Sequence, residues 1–134
     1  RLSRYCKLEI VEVMDEQTPD KASVALEEQI KAKEAERLLA RIKADAFLCT
    51  LEIGGRKFDS QGFAAWMDKA VVEGRGSLCF VIGGSLGLHA SVTDRADLHL
   101  SFSDMTFPHQ LMRVILCEQI YRAFRINNGE PYHK

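Results

Sequence analysis

The sequence predicts an α/β protein in which a parallel sheet is covered by helices on both faces. Two observations carry this. Two short, almost uninterrupted apolar runs, AFLCTLEI (46–53) and LCFVI (78–82), have the length and composition of strands buried on both sides, and LHLSF (98–102) is a further strand candidate. Segments of helical periodicity separate them, the alternation that builds βαβ units. With 134 residues and no linker, repeat or low-complexity stretch, one domain spanning 1–134 is expected.

In chain order, KLEIVEV (7–13) alternates apolar and charged residues and reads as a strand with one wetter face. Residues 15–21 contain Pro19 and read as a loop. From Ser23 to Ile42, Leu26, Ile30, Leu38, Leu39 and Ile42 recur at helical spacing among Glu, Lys and Ala, predicting a helix with a solvated charged face. The strand 46–53 is expected to stop at Gly54-Gly55. Ser60 is a candidate N-cap for a second helix that buries Phe63, Ala64, Met67, Ala70 and Val71 and ends at the glycines of 74–76. The strand 78–82 runs into GGSLG (83–87), followed by a short helix over 91–96 and the strand 98–102.

The last stretch, 100–134, organises the rest. A loop with Ser103, Asp104 and Thr106 between large apolar residues leads to Pro108 at the first turn of a helix, where a missing N–H costs nothing. That helix, 108–126, is apolar around most of its circumference. Met112, Ile115, Leu116, Ile120, Ala123 and Phe124 form one face, and Leu111, Val114, Cys117 and Tyr121 widen it. Only Arg113, Glu118, Arg122 and Arg125 remain as a polar strip, so burial on more than one side is expected, deep in the domain or against a second subunit.

The net charge of −1 excludes a strong overall field for nucleic acid or membrane. From residue 108 onward four cations oppose two carboxylates, a local +2, so attraction for phosphate belongs to the tail. Four dispersed cysteines form neither a C-x-x-C knuckle nor a disulfide framework; three sit in apolar runs and read as core residues of a reduced, cytoplasmic protein. No apolar run approaches the roughly 20 residues that span a bilayer. His89, His99, His109 and His133 lack the spacing of a metal set, and no metal is expected. His89 and His99 read as structural, whereas His109 and His133 share the tail with Arg113, Tyr132 and Lys134.

Ligands of parallel sheets bind at the carboxyl ends of strands. Three loops leave those ends, 51–55, 83–87 and 102–107, all rich in Gly or small polar residues. Gly83-Gly84 is suited to close backbone approach by a ligand or, equally, to a tight turn. The spacing GGSLG matches neither the dinucleotide fingerprint nor a P-loop, and no G-x-S-x-G elbow is present. The terminal Tyr132, His133 and Lys134, stiffened by Pro131, form a set able to contact a base and a phosphate, or a frayed end.

FVIGGSLGLH, LSFSDMTFPHQLMRVILCEQIYRAFRI and the terminal GEPYHK together resemble the ribosomal RNA large subunit methyltransferase H family of the SPOUT class. The likeness extends over the chain through RLSRYCKLEIVEVMDE, EAERLLARI and LEIGGRKFDSQGFA. It implies an S-adenosylmethionine-dependent enzyme methylating N3 of a pseudouridine in 23S rRNA of the assembled ribosome. It further implies a C-terminal trefoil knot and a homodimer with the active site at the subunit interface. By the family pattern Leu51, Gly83, Phe102, Ser103, Asp104, Met105, Thr106 and Phe107 bind the cofactor, on the same three loops. The chain starts part-way into that pattern, so the family's first strand is expected to be missing and the sheet to have an unprotected edge.

Methyl transfer to an imide nitrogen requires alignment and loss of the N3 proton. The resemblance therefore makes His109, Tyr132 and His133 the catalytic candidates, with His109 or His133 assisting proton removal. Arg113, Arg122 and Lys134 are the RNA-binding candidates. With no basic stripe or aromatic stacking platform evident, the folded ribosome rather than free RNA is the expected substrate. The competing readings are a non-catalytic ribosome-binding or dimerisation module of the same fold, and a small-molecule enzyme using another nucleotide.

Overall fold

The computed structural model describes residues 1–13, 17–73 and 77–134. After a single 3-10 turn at Leu2–Arg4 come α1 (Val24–Arg41), β1 (Phe47–Lys57), α2 (Ser60–Glu73), β2 (Leu78–Val81), α3 (Ala90–Thr93), β3 (Leu98–Ser101) and α4 (His109–Asn127). The three strands form a parallel sheet of order β2-β1-β3. Its centre is β1, whose Thr50 lies opposite Val81 of β2 and whose Leu51 lies opposite Leu100 of β3.

Alternation along β1 divides the core between the two faces. On one, Cys49 and Leu100 pack with Phe63, Ala64 and Met67 of α2 and Leu116, Ile120 and Ala123 of α4. On the other, Leu48 and Val81 pack with Ala35 of α1 and Val92 of α3, with Leu38, Leu39 and Ile42 alongside. Helices therefore cover both faces, as the apolar runs in β1 and β2 require.

Four expectations are corrected. Residues 7–13 form no strand, and Leu8, Ile10 and Val11 are exposed. A strand is stable only when its N–H and C=O groups are paired, and among the described residues none pairs with this segment. Gly54-Gly55 does not end β1, which continues to Lys57 through an irregularity: Leu100 lies opposite Leu51 and again opposite Arg56. Gly55 is pressed onto β3, where a Cβ would stand 2.8 Å from His99 C and O and Leu100 C. This close approach, not a turn, is what demands glycine there.

The cap of α2 is Asp59 rather than Ser60. Its carboxylate accepts from Gly62 N–H at 2.6 Å and its carbonyl from Phe63 N–H at 2.9 Å, while the Ser60 hydroxyl donates to Gln119 Oε1 at 2.9 Å. Val71 is exposed, so the buried stripe of α2 ends at Ala70. The helix stop expected at 74–76, and residues 15 and 16 of the expected loop, lie outside the described residues.

Candidate functional site

Because the sheet is parallel, the carboxyl ends of its strands share one edge. Leu51 near the middle of β1, Gly83 two residues past β2 and Phe102 just past β3 are brought to it by the β2-β1-β3 order. Leu51, Ile82 and Phe102 pack against the core cluster on the α2/α4 face, and Phe102 meets Phe63 edge-on at 6.3 Å. The loop 102–107 is folded on itself: Ser101 Oγ donates to the Ser103 carbonyl at 3.0 Å, and Met105 N–H donates to Ser103 Oγ at 3.0 Å. Lys57 Nζ reaches Asp104 Oδ1 at 2.5 Å and ties the loop to the end of β1. Met105 is 71% exposed on the rim, and Thr106 is also exposed, beside the half-buried Phe107. Pro108 occupies the cap position of α4, its carbonyl accepting from Met112 N–H at 2.9 Å.

Beyond β2, Gly87 N–H closes a turn onto the Gly84 carbonyl at 3.0 Å, with Gly87 at φ +84°. A Cβ on Gly83 would lie 3.0 Å from Gly87 C and Leu88 Cγ, closer than ordinary contact, so a side chain there has room only if these neighbours shift. His89 caps α3, its Nδ1 accepting from Ser91 N–H at 3.1 Å. His99 contacts Glu52 on the neighbouring strand. Both therefore have the structural partners expected of them. Cys49 is buried against the sheet, which pushes its thiol up to about 12. All four cysteines are free.

The tail is docked along α4 of its own chain. Tyr132 OH donates to Glu118 Oε1 at 3.2 Å, and its ring meets Tyr121 edge-on at 5.0 Å. Arg122 lies over the Tyr132 ring at 4.8 Å and its NH1 is 3.0 Å from His133 Nδ1. Glu130, at the start of the tail, binds Arg125 at 3.3 Å and accepts from Tyr5 OH at 2.6 Å. That hydrogen bond, followed by burial, holds the Tyr5 hydroxyl above its ordinary range.

His109 begins α4, exposed, next to the loop 102–107, whereas His133 docks at Arg122, 13 residues along the helix. At 1.5 Å per residue the two are about 20 Å apart in one chain. The structure thus gathers Tyr132, His133 and Arg122, and leaves His109 with the cofactor-site candidates. Arg113 is engaged by Glu12, and Lys134 is exposed at the end.

An aromatic and cationic platform, not evident from the sequence, surrounds the tail. Arg1 lies over Tyr121 at 4.2 Å and Tyr132 at 5.6 Å, Arg125 over both at 5.8 Å, and Tyr5 stacks on Phe124 at 5.3 Å. The Arg1 guanidinium draws the Tyr121 hydroxyl below its ordinary range. Guanidinium planes on phenol rings suit phosphate and unpaired bases alike. The pairs Glu118/Arg122 and Tyr121/Arg125 are visible as i, i+4 spacings; the contribution of Arg1 and Tyr5 comes from the far end of the chain and carries no local signal.

Among the described residues no group of three or more His, Cys, Asp or Glu side chains is placed to hold a metal, and no helix is long and apolar enough to cross a membrane. A family model described as "Predicted SPOUT methyltransferase" matches residues 1–133. Three relatives named "Ribosomal RNA large subunit methyltransferase H" are similar over all 134 residues, which cover 84% of each relative. They are from Clostridioides difficile (strain 630) at 57% identity, Bifidobacterium adolescentis at 58% and Clostridium acetobutylicum at 54%. With a matching model over nearly the whole chain and identities above one half, the chain belongs to the ribosomal RNA large subunit methyltransferase H family of SPOUT methyltransferases.

Proposed function

We propose that this chain is an S-adenosylmethionine-dependent methyltransferase acting on N3 of a pseudouridine in 23S rRNA of the assembled ribosome. It works as a one-domain, trefoil-knotted homodimer in the cytoplasm. The observation that carries this reading is the convergence of Leu51, Gly83 and residues 102–107 on one carboxyl edge. Such an edge fits the cofactor chemically: half-buried Leu51 and Phe102 supply apolar wall, exposed Met105 a rim, and the loop backbone hydrogen-bonding groups for an adenine and an amino-acid moiety.

When bound, the cofactor supplies a methyl group on a sulfonium. The chain's own residues do the rest. Leu51, Gly83, Phe102, Ser103, Asp104, Met105, Thr106 and Phe107 hold the cofactor. Tyr132 and His133 orient the base, and Arg113, Arg122 and Lys134 attract the surrounding phosphates. His109, exposed beside the loop, takes the N3 proton.

A second copy supplies the missing proximity. In one chain the tail docks about 20 Å from His109, and Leu111 and Val114 stand 47% and 62% exposed in the first turns of α4. An antiparallel pairing of two α4 helices covers those side chains and brings one subunit's tail to the other's cofactor edge.

Deleting residues 131–134 tests the reading. S-adenosylhomocysteine affinity by calorimetry is expected to be unchanged, with methylation of ribosomes abolished; unchanged turnover refutes the role of the tail. Absence of saturable cofactor heat in the intact protein would favour a ribosome-binding module instead. Robust methylation of a naked hairpin would refute the requirement for the ribosome.

A further inference from the structure

Glu118 has no place in the chemistry above, yet it is the acceptor around which the tail is assembled. Its Oε1 receives Arg122 Nε at 3.0 Å, Arg122 NH2 at 2.6 Å and Tyr132 OH at 3.2 Å. Its Oε2 receives Gln119 Nε2 at 3.0 Å. The Glu118 and Arg122 side chains are 35% and 23% exposed, so water competes only in part. Two of the three guanidinium nitrogens of Arg122 are thereby spent on Glu118, and the remaining one, NH1, points at His133 Nδ1 across 3.0 Å.

A guanidinium only donates. His133 Nδ1 is therefore the acceptor, and the neutral imidazole carries its proton on Nε2. A proton on Nδ1 would set two N–H groups against each other. The ring is thus held as a hydrogen-bond donor through Nε2–H, with its lone-pair nitrogen occupied, which makes it unsuited to accept a proton from substrate.

We propose that Glu118 is a positioning residue. It locks Arg122 and Tyr132 on α4 and, through Arg122, holds His133 in the Nε2–H tautomer that donates to a carbonyl oxygen of the target base. This rests on the methyltransferase reading. When an imide nitrogen loses its proton, negative charge spreads to the flanking carbonyl oxygens, and a fixed N–H there stabilises it. The opposite tautomer would present a lone pair to the same oxygen. Glu118 itself touches no substrate.

The test is a double-mutant cycle with a spectroscopic arm. Glu118→Gln keeps the shape and removes the charge; Arg122→Lys keeps the charge and removes the fork. Each is expected to slow single-turnover methylation of ribosomes roughly tenfold or more, with S-adenosylhomocysteine affinity within about twofold of wild type as the fold control. His133→Gln places an amide N–H where Nε2–H stood and needs no tautomer, so in that background Glu118→Gln loses only what runs through Tyr132 and Arg122, less than in the parent. Nitrogen-15 spectra of the intact protein should show His133 protonated on Nε2 alone, and a mixture of tautomers in Glu118→Gln. Wild-type rates in Glu118→Gln, equal losses in both backgrounds, or a wild-type His133 protonated on Nδ1 would each overturn the proposal. A wild-type protein with the expected spectrum but no transfer to ribosomes would instead overturn the methyltransferase reading, and the substrate role of His133 with it.

Discussion

Replacing Gly55 by alanine puts a methyl carbon 2.8 Å from three backbone atoms of β3, His99 C and O and Leu100 C. Ordinary contact between such atoms is about 3.5–4.0 Å. Close to 1 Å must therefore come from moving backbone, and the strands joined by Arg56↔Leu100 and Lys57↔Ser101 must separate. Backbone offers no rotamer for escape, which places the cost near the top of the range for overpacking, about 2–3 kcal/mol. With an unfolding entropy of about 0.28 kcal/mol/K for a chain of this size, Tm falls by roughly 7–11 °C.

Gly54→Ala is the matched control. It lies in the same strand, a Cβ there meets nothing within 4 Å, and its φ is not positive. Alanine at that position restricts the unfolded chain and is expected to be neutral or stabilising by about 0.5 kcal/mol. The assay is calorimetric unfolding of the two variants beside the parent. If Gly55→Ala unfolds within about 0.5 kcal/mol of Gly54→Ala, the account of β1 pressed onto β3 is wrong.

Two further perturbations probe the frame around the site. Burial raises the Cys49 thiol to about 12, so the folded protein keeps a proton that the unfolded chain releases above about pH 9. Stability from this group is complete below that pH and is lost toward pH 12, at about 1.4 kcal/mol per unit; urea titrations at pH 8, 9 and 10 should give a shallower alkaline decline for Cys49→Ala than for the parent, and parallel declines would contradict the burial argument. Asp59→Ala removes the acceptor of Gly62 N–H and should cost about 1 kcal/mol, with Asp59→Asn recovering most of it; equal stability of all three in urea would refute the cap.

Much of the frame was legible because its signals are local. The helical spacing of Ile30, Leu38 and Leu39, the apolar runs that became β1 and β2, the strand candidate that became β3, and Pro108 before α4 each depend on neighbours a few residues away. That the cofactor-loop candidates would come together was legible for a related reason, since Leu51 lies within the first apolar run, Gly83 just past the second and residues 102–107 at the end of the last strand, and a parallel sheet aligns its strands. Where the reading of the residues failed, a distant partner had the deciding vote. KLEIVEV has strand alternation but no strand beside it, and Gly54-Gly55 has the composition of a stop but lies against β3.

The division is sharpest in the last 35 residues. By itself the sequence determined that a polar loop, an apolar helix and a tail ending in Tyr132, His133 and Lys134 follow one another, because propensity and periodicity act over a turn or two. Only the tertiary structure decided what the tail touches. It placed Tyr5 on Glu130 across 125 positions and Arg1 over Tyr121, and it set His133 against Arg122. The orientation of an imidazole is set by which donor faces it, and that donor is chosen by how the whole chain packs.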